Sequence, residues 1–282
     1  MTSGRSDRFD EPDWAGLWRA LVEEGGRYQR SFPDPARSER YLRRLSAGPK
    51  ALEGADPLID AVVDHLAPGD TVLDIGAGAG RWALRLARVA SQVTAVEPEA
   101  ALGRALSEHA AALGIANVTV VAARWDECDL EPHDAVLNSH AMYGTADLPR
   151  LVASMMQHAR KRCYLTMRWV EPDGVMADLS RQVRGHPHDS PNFTIGYNVL
   201  LQLGLCPQVA VDSVVKHWRD PDLDSAVERA KRHLYLPPAD AKHDDRIRHL
   251  LAEQLRSTSE GLVWPDGTRS VLCWWEVSPQ LV

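Results

Sequence analysis

Two short stretches of this 282-residue chain gather residue types that could do chemistry. The first, "VLDIGAGAGRW" (72–82), ends an apolar run at Asp74-Ile75 and then alternates Gly76, Gly78 and Gly80 with alanines, Ala77 among them. Glycines there let backbone approach a ligand with no Cβ in the way and permit positive φ. The helical pattern that starts at Arg81 would turn free amides and a positive dipole end toward a carboxylate or phosphate. Glu97, followed by Pro98, stands about 17 residues past Gly80, near the roughly 20 expected of an acid that binds a ribose. The second stretch, "LNSHAMYG" (137–144), carries Asn138, Ser139, His140 and Tyr143. An unperturbed imidazole, with a pKa of about 6.5, accepts a proton near neutrality, so His140 is a candidate base. Tyr143 is a candidate lid or acceptor wall.

The glycine loop narrows the ligand. A dinucleotide loop reads G-x-G-x-x-G, its third glycine allowing close helix packing; here Arg81 occupies that position. No P-loop lysine follows, which excludes a Walker A phosphate loop.

The elements around these residues alternate. "TVLDIG", "QVTAVEP", "NVTVVAA", "DAVLNSH" and "RCYLTMR" have strand character. Between most of them run helical patterns, "GRWALRLARVA" and "EAALGRALSEHAAALG" first, then "LPRLVASMMQHARK" before the fifth. Strands alternating with helices signal βαβ units and a doubly wound parallel sheet. In such a sheet the ligand lies beyond the carboxyl ends of the strands, where the strand order reverses. Both stretches fall at that edge. Upstream, "WAGLWRALVEE" places Trp14, Leu17, Trp18, Leu21 and Val22 on one helical face. "SERYLRRL" reads as a second helix and "ADPLIDAVVDHL" as a third, with Asp56 as N-cap and Pro57 at its first position. Downstream, "TIGYNVLLQLG" reads as a helix, "PQVAVDSVVKHW" as a strand, and "LDSAVERAKRHLYL" and "DDRIRHLLAEQL" as two helices. "RSVLCWWEV" reads as a closing antiparallel edge strand joined to "GLVW" through a turn at "PDG".

"VLDIGAGAGRW" followed by "VTAVEP" resembles the first two motifs of the class I, Rossmann-like S-adenosylmethionine-dependent methyltransferases, over about residues 60 to 170. The finer resemblance is to small-molecule-type bacterial members. It implies S-adenosyl-L-methionine as cofactor, with the Gly76–Gly80 loop under its methionine part. Asp74 would reach the methionine amino group directly or through water, and Glu97 would accept from both ribose hydroxyls. After the third strand the family often carries a glycine-aspartate pair facing the adenine; here "AARWDE" offers Ala123, Arg124, Trp125 and Asp126 instead, a departure that leaves the adenine contact to some of these. Asn138 and Ser139 would complete the cofactor edge, with His140 and Tyr143 at the acceptor. The N-P-P-[YF] signature of enzymes that methylate DNA bases or protein glutamine is absent, which argues against those substrates. The expected architecture is a doubly wound, mostly parallel seven-stranded sheet with an antiparallel edge strand. A helical N-terminal extension (1–55) would precede a methyltransferase domain (56–282), whose cofactor half is 56–170 and whose helical insertion lies at about 220–256.

Composition bears on the acceptor. A formal net charge of -7 lacks the basic footprint of a nucleic-acid binder. A small-molecule acceptor is therefore the first expectation. An RNA or protein acceptor, a non-catalytic cofactor-binding subunit and an NAD-dependent oxidoreductase are the alternatives, the last opposed by Arg81. No apolar run approaches the roughly 20 residues of a membrane helix, the start lacks signal-peptide character, and four scattered cysteines suggest reduced thiols. The expectation is a cytoplasmic chain that uses no metal and no membrane. Arg168, at the fifth strand's end, could meet an acidic substrate, and Trp14, Trp18, Tyr28 and Tyr41 could line an acceptor pocket. "HPHD" (186–189) reads as ordinary loop, and "KRH" (231–233) as part of a polar helix face. Neither the attacking atom of the acceptor nor the oligomeric state is readable from the sequence.

Overall fold

A computed structural model describes residues 12–26, 42 and 55–277. The helix expected over "SERYLRRL", and Tyr28 and Tyr41, lie outside the described residues apart from Leu42.

One mixed sheet runs through the molecule in the order β3-β2-β1-β4-β5-β9-β6. Its strands are β1 (Thr71–Ile75), β2 (Gln92–Val96), β3 (Val118–Val121), β4 (His133–Ser139), β5 (Ala159–Val170), β6 (Gln208–Val211), β7 (Lys216–Asp220), β8 (Arg256–Thr258) and β9 (Gly261–Glu276). The first five pair in parallel, with β1 flanked by β2 and β4. The order therefore reverses at β1, and the carboxyl ends of β1 and β4 open the crevice where α/β sheets bind ligands. Strand alternation sends Leu73 and Ile75 into the apolar cluster on one face, and Val72 into the cluster on the other.

The helices are α1 (Trp14–Glu24), α2 (Pro57–Val63), α3 (Arg81–Leu86), α4 (Ala100–Ala112), α5 (Leu148–Gln157), α6 (Val175–Arg184), α7 (Phe193–Gln202), α8 (Leu223–His233) and α9 (Asp244–Gln254). Asp56 caps α2 by accepting from the Leu58 and Ile59 amides, with Pro57 in the first turn. α1 is anchored through Trp18, which is fully buried and donates from its indole N–H to the Thr145 carbonyl at 2.9 Å. A third apolar cluster, built from Leu179, Val227, Ile247, Leu251 and Trp264, joins α6, α8 and α9 to the start of β9. No helix among the described residues is long and apolar enough to cross a membrane.

The sheet has nine strands where the sequence suggested seven, and one cause lies in β9. "GLVWPDGTRSVLCWWE" forms a single 16-residue strand, so "PDG" makes no hairpin turn. The half beyond β5 offers a free edge on which β7 and β8 pair antiparallel. Pro265 cannot donate to the ladder. Between His217 opposite Gly267 and Arg219 opposite Val263 the register shifts, which absorbs the proline in a bulge. "PQVAVDSVVKHW" correspondingly divides into β6 and β7. β9 runs antiparallel between β5 and β6, so the strand closing that side is β6.

Candidate functional site

The glycine loop leaves β1 under tight backbone constraint. Gly76, Gly78 and Gly80 all hold positive φ (78°, 58° and 92°), which L side chains adopt only with strain. The Gly76 and Ala77 amides both donate to the Val96 carbonyl at the end of β2, which ties the loop to the neighbouring strand. A Cβ on Gly76 would lie 2.3 Å from the Ala141 Cβ, and one on Gly80 2.8 Å from the Leu106 Cγ. The first contact shows that the segment after β4 rests directly on the loop. The second shows why α3 can pack close to α4. Arg81, in place of the dinucleotide glycine, turns outward and pairs with Asp56, the α2 cap, at 2.6 Å.

Two acids meet at this loop. Glu97 is buried; its Oε2 accepts from the Gly78 amide and its Oε1 from the Glu99 amide, both at 2.8 Å. These two amides tie the carboxylate to the loop and to the start of the following helix. Asp74 is 1 % exposed, and neither of its oxygens has a hydrogen-bond partner of normal geometry. Burial, then the nearby Glu97 charge, push its carboxyl up to about 7, opposed by the Ala83 N–H. A buried acid this poorly satisfied is costly in isolation. Glu99, whose Oε2 is also buried without a partner, is a third acid in this region; from sequence it read only as the start of the following helix.

The expected adenine-side residues follow β3. Trp125 packs half-buried against the main apolar cluster, with the Arg150 guanidinium 5.9 Å from its ring centroid. Arg124 spends its charge on Asp126 (3.1 Å) and Glu127 (3.3 Å). Pro98 is half-buried beside Glu97.

At the end of β4, Asn138 is buried and accepts from the Ala141 amide at 3.2 Å. Ser139 closes the strand opposite Thr166 of β5. His140 stands at φ 56°, one of two described non-glycine residues with positive φ, and its amide donates to the Thr166 carbonyl. Such strain persists where surrounding structure over-determines the backbone, and it clusters at functional sites. The His140 ring faces Tyr143 Oη through Nδ1 (3.4 Å) and Ser270 Oγ through Nε2 (3.2 Å). Tyr143 Oη accepts from the Arg168 amide at 2.5 Å, and the Arg168 guanidinium lies 5.6 Å from the Tyr143 ring centroid. Trp18 stacks on the other side, its ring centroid 6.3 Å from that of Tyr143.

His140 is exposed overall, but protein crowds the side of its ring that faces Tyr143 and Ser270. That crowding, then the positive charges of Arg168, Lys216 and Arg81, hold its pKa below the ordinary 6.5, against Asp56. The ring is thus neutral at pH 7, with a lone pair to offer.

Tyr143 and Arg168 thus meet His140, and so does Ser270, which no sequence pattern marked. Trp14 and Trp18 belong to the packing of α1 against the core, and Trp18 reaches the site only through Tyr143. The polar-face reading of "KRH" is corrected: Lys231 is buried against Asp244 at 2.6 Å, and His233 pairs with buried Asp189 at 2.5 Å. Asp189 belongs to "HPHD", so that loop takes part in the tertiary structure. No cluster of His, Cys, Asp and Glu among the described residues could hold a metal ion.

A family model described as a methyltransferase domain matches residues 72–162. Two curated relatives are both named protein-L-isoaspartate O-methyltransferase. One, from Methylorubrum populi, is 42% identical over 132 residues, covering 43% of this chain and 60% of its own length. The other, from Methylorubrum extorquens, is 46% identical over 79 residues, covering 27% of this chain and 34% of its own. The chain thus spans less than two thirds of either relative. Among solved structures, the YcgJ protein of Bacillus subtilis superposes with a TM-score of 0.50 at 17% identity, over 77% of this chain and 97% of the other. A SAM-dependent methyltransferase from Thiobacillus denitrificans, in complex with S-adenosyl-L-homocysteine, does so at 0.50 and 14%, over 79% and 92%. At such identities these likenesses concern the fold.

Proposed function

We propose, from the premise that residues 72–162 are a methyltransferase domain, that this chain transfers the methyl group of S-adenosylmethionine to a small-molecule acceptor beside His140. The carrying observation is the juxtaposition of the glycine loop with the 140–143 segment, seen in the contact a Gly76 Cβ would make with Ala141.

The residues at the switch point fit that cofactor. Asp74 carries two buried oxygens that, among the described residues, lack a hydrogen-bond partner of normal geometry, a match for the methionine ammonium or a water bound to it. Glu97, a two-oxygen acceptor whose amide contacts fix the loop, suits the ribose hydroxyls. Pro98 and residues 124–126 stand where the adenine edge would lie, and Asn138 and Ser139 where the methionine end meets the acceptor. The bound sulfonium supplies an activated methyl and a neutral leaving group, so the protein has chiefly to align the nucleophile and exclude water.

His140 is the residue placed to take a proton from a neutral oxygen or nitrogen acceptor. Protonated at Nδ1, with Tyr143 Oη accepting, it presents the Nε2 lone pair that otherwise accepts from Ser270. Tyr143 is fixed in turn by the Arg168 amide and by Trp18.

The small-molecule reading rests on the net charge of -7, which lacks the basic footprint of a nucleic-acid binder. A second reading, methyl transfer to a protein carboxylate, is favoured by the names of the two Methylorubrum relatives. The purified chain, incubated with methyl-labelled S-adenosylmethionine and separated metabolite, protein and RNA fractions, should label the metabolite fraction. Label in protein alone would favour the second reading, and label in RNA alone would contradict both.

A further inference from the structure

Beyond His140 the same sheet face continues into a cleft between β5, β7 and β9 and the helices α6 and α8, floored by Met176, Ala177, Trp218 and Trp264. The strand registers connect the two places. Ser270, the partner of His140 Nε2, lies opposite Arg168; two residues along β9, Thr268 lies opposite both Val170 of β5 and Lys216 of β7. Directly opposed residues share a sheet face, so His140, Ser270, Arg168, Thr268 and Lys216 form one continuous track.

The charges along the track are uneven. Arg168 donates to Ser190 Oγ at 2.7 Å, yet its Nε is buried without a partner, and it makes no ion pair among the described residues. Lys216 is exposed, and its ammonium has no ion pair among the described residues. Both cations act on His140 strongly enough to lower its pKa. The acids of the cleft are engaged or outlying. Asp189 is paired with His233 and also feels the Arg168 charge, Asp266 accepts from the Val175 amide at the start of α6, and Glu171 is an exposed carboxylate on the cleft's rim past the end of β5.

We infer that the acceptor bears a carboxylate, held by Arg168 and Lys216, on a flat apolar body that lies along Trp218 and Met176, with its nucleophile reaching back to His140. This deepens the proposed function and rests on it. The carboxylate acts as the anchor, which selects among acceptors and orients the reacting atom without itself entering the reaction.

The test uses the full chain saturated with S-adenosylhomocysteine, titrated calorimetrically with benzoate, 2-naphthoate and indole-3-acetate and with the amide of each. At least one carboxylate should bind, about tenfold or more tighter than its amide, and Lys216→Met should weaken it about tenfold while leaving S-adenosylhomocysteine affinity unchanged. Arg168→Gln should have a larger effect; Lys216→Met, at an exposed position, guards against a failure of that variant to fold. Equal binding of acid and amide, no binding of any carboxylate, or indifference to Lys216→Met would overturn the anchor. Failure of S-adenosylhomocysteine itself to bind, with carboxylates still captured, would overturn the proposed function and leave the anion site standing.

Discussion

Asp74 and Glu97 make opposite use of burial. Glu97 is satisfied by two amides, whereas Asp74 is buried with its oxygens unmet and its carboxyl pushed up to about 7. An acid whose folded pKa stands above its unfolded 3.8 lowers stability as pH rises between the two values. Asp74→Asn should therefore match the parent near pH 4 and become more stable than it, in the ligand-free state, as pH passes 7. The gain should be on the order of a few kcal/mol by thermal unfolding, while S-adenosylhomocysteine affinity falls. A variant destabilised across that window would show the acid to be structural. Glu97→Ala removes an acceptor of two charge-assisted hydrogen bonds, each worth about 1.5–3 kcal/mol, so cofactor affinity should drop at least about a hundredfold by calorimetry. Normal binding by a folded variant would misplace the ribose. His140 should titrate below 6.5 by NMR of its ring protons, because crowding and three cations oppose its charge; a midpoint above 6.5 would remove the neutral base. Asp74, Gly76, Glu97 and His140 were marked as candidates in the sequence by their types and spacing. Ser270 and the Asp189–His233 pair were not, because a lone hydroxyl on a strand and a loop acid carry no pattern until distant elements are packed together.

At the scale of elements, the glycine loop is the part whose geometry leaves least freedom. Gly76→Ala would place a methyl 2.3 Å from the Ala141 Cβ at φ 78°. Gly69→Ala meets the same left-handed penalty at φ 98° with nothing within 4 Å. Each should lose about 1–3 kcal/mol of stability from backbone strain, but only Gly76→Ala should also displace the 140–143 segment and weaken S-adenosylhomocysteine binding. Equal loss of binding in both would detach the loop from the site. Alternating strands and helices were readable through β5 because each unit carries its own period and caps, as Asp56 and Pro57 do for α2. The end of the chain was not. "PDG" carries turn chemistry, yet it lies within β9, where pairing to β7 and a register shift override the local preference. Those added pairings also bring Lys216 and Trp218 to the cleft.

For the whole molecule, one sheet carries a crevice at the carboxyl ends of β1 and β4 and a cleft continuing across β5, β9 and β7. The net charge of -7 is a global quantity, whereas acceptor choice under the proposed function would depend on the local field, to which Arg168 and Lys216 add positive charge beside His140. That is why composition could argue against a nucleic-acid partner and yet say nothing of an anionic small molecule. The central claim is that the glycine loop, Asp74 and Glu97 hold S-adenosylmethionine, and the most direct measurement is calorimetric titration of the purified chain with S-adenosylmethionine, S-adenosylhomocysteine and NAD. Saturable one-to-one binding of both sulfur compounds, and none of NAD, is expected; binding of NAD, or of neither sulfur compound, would place another ligand in the loop.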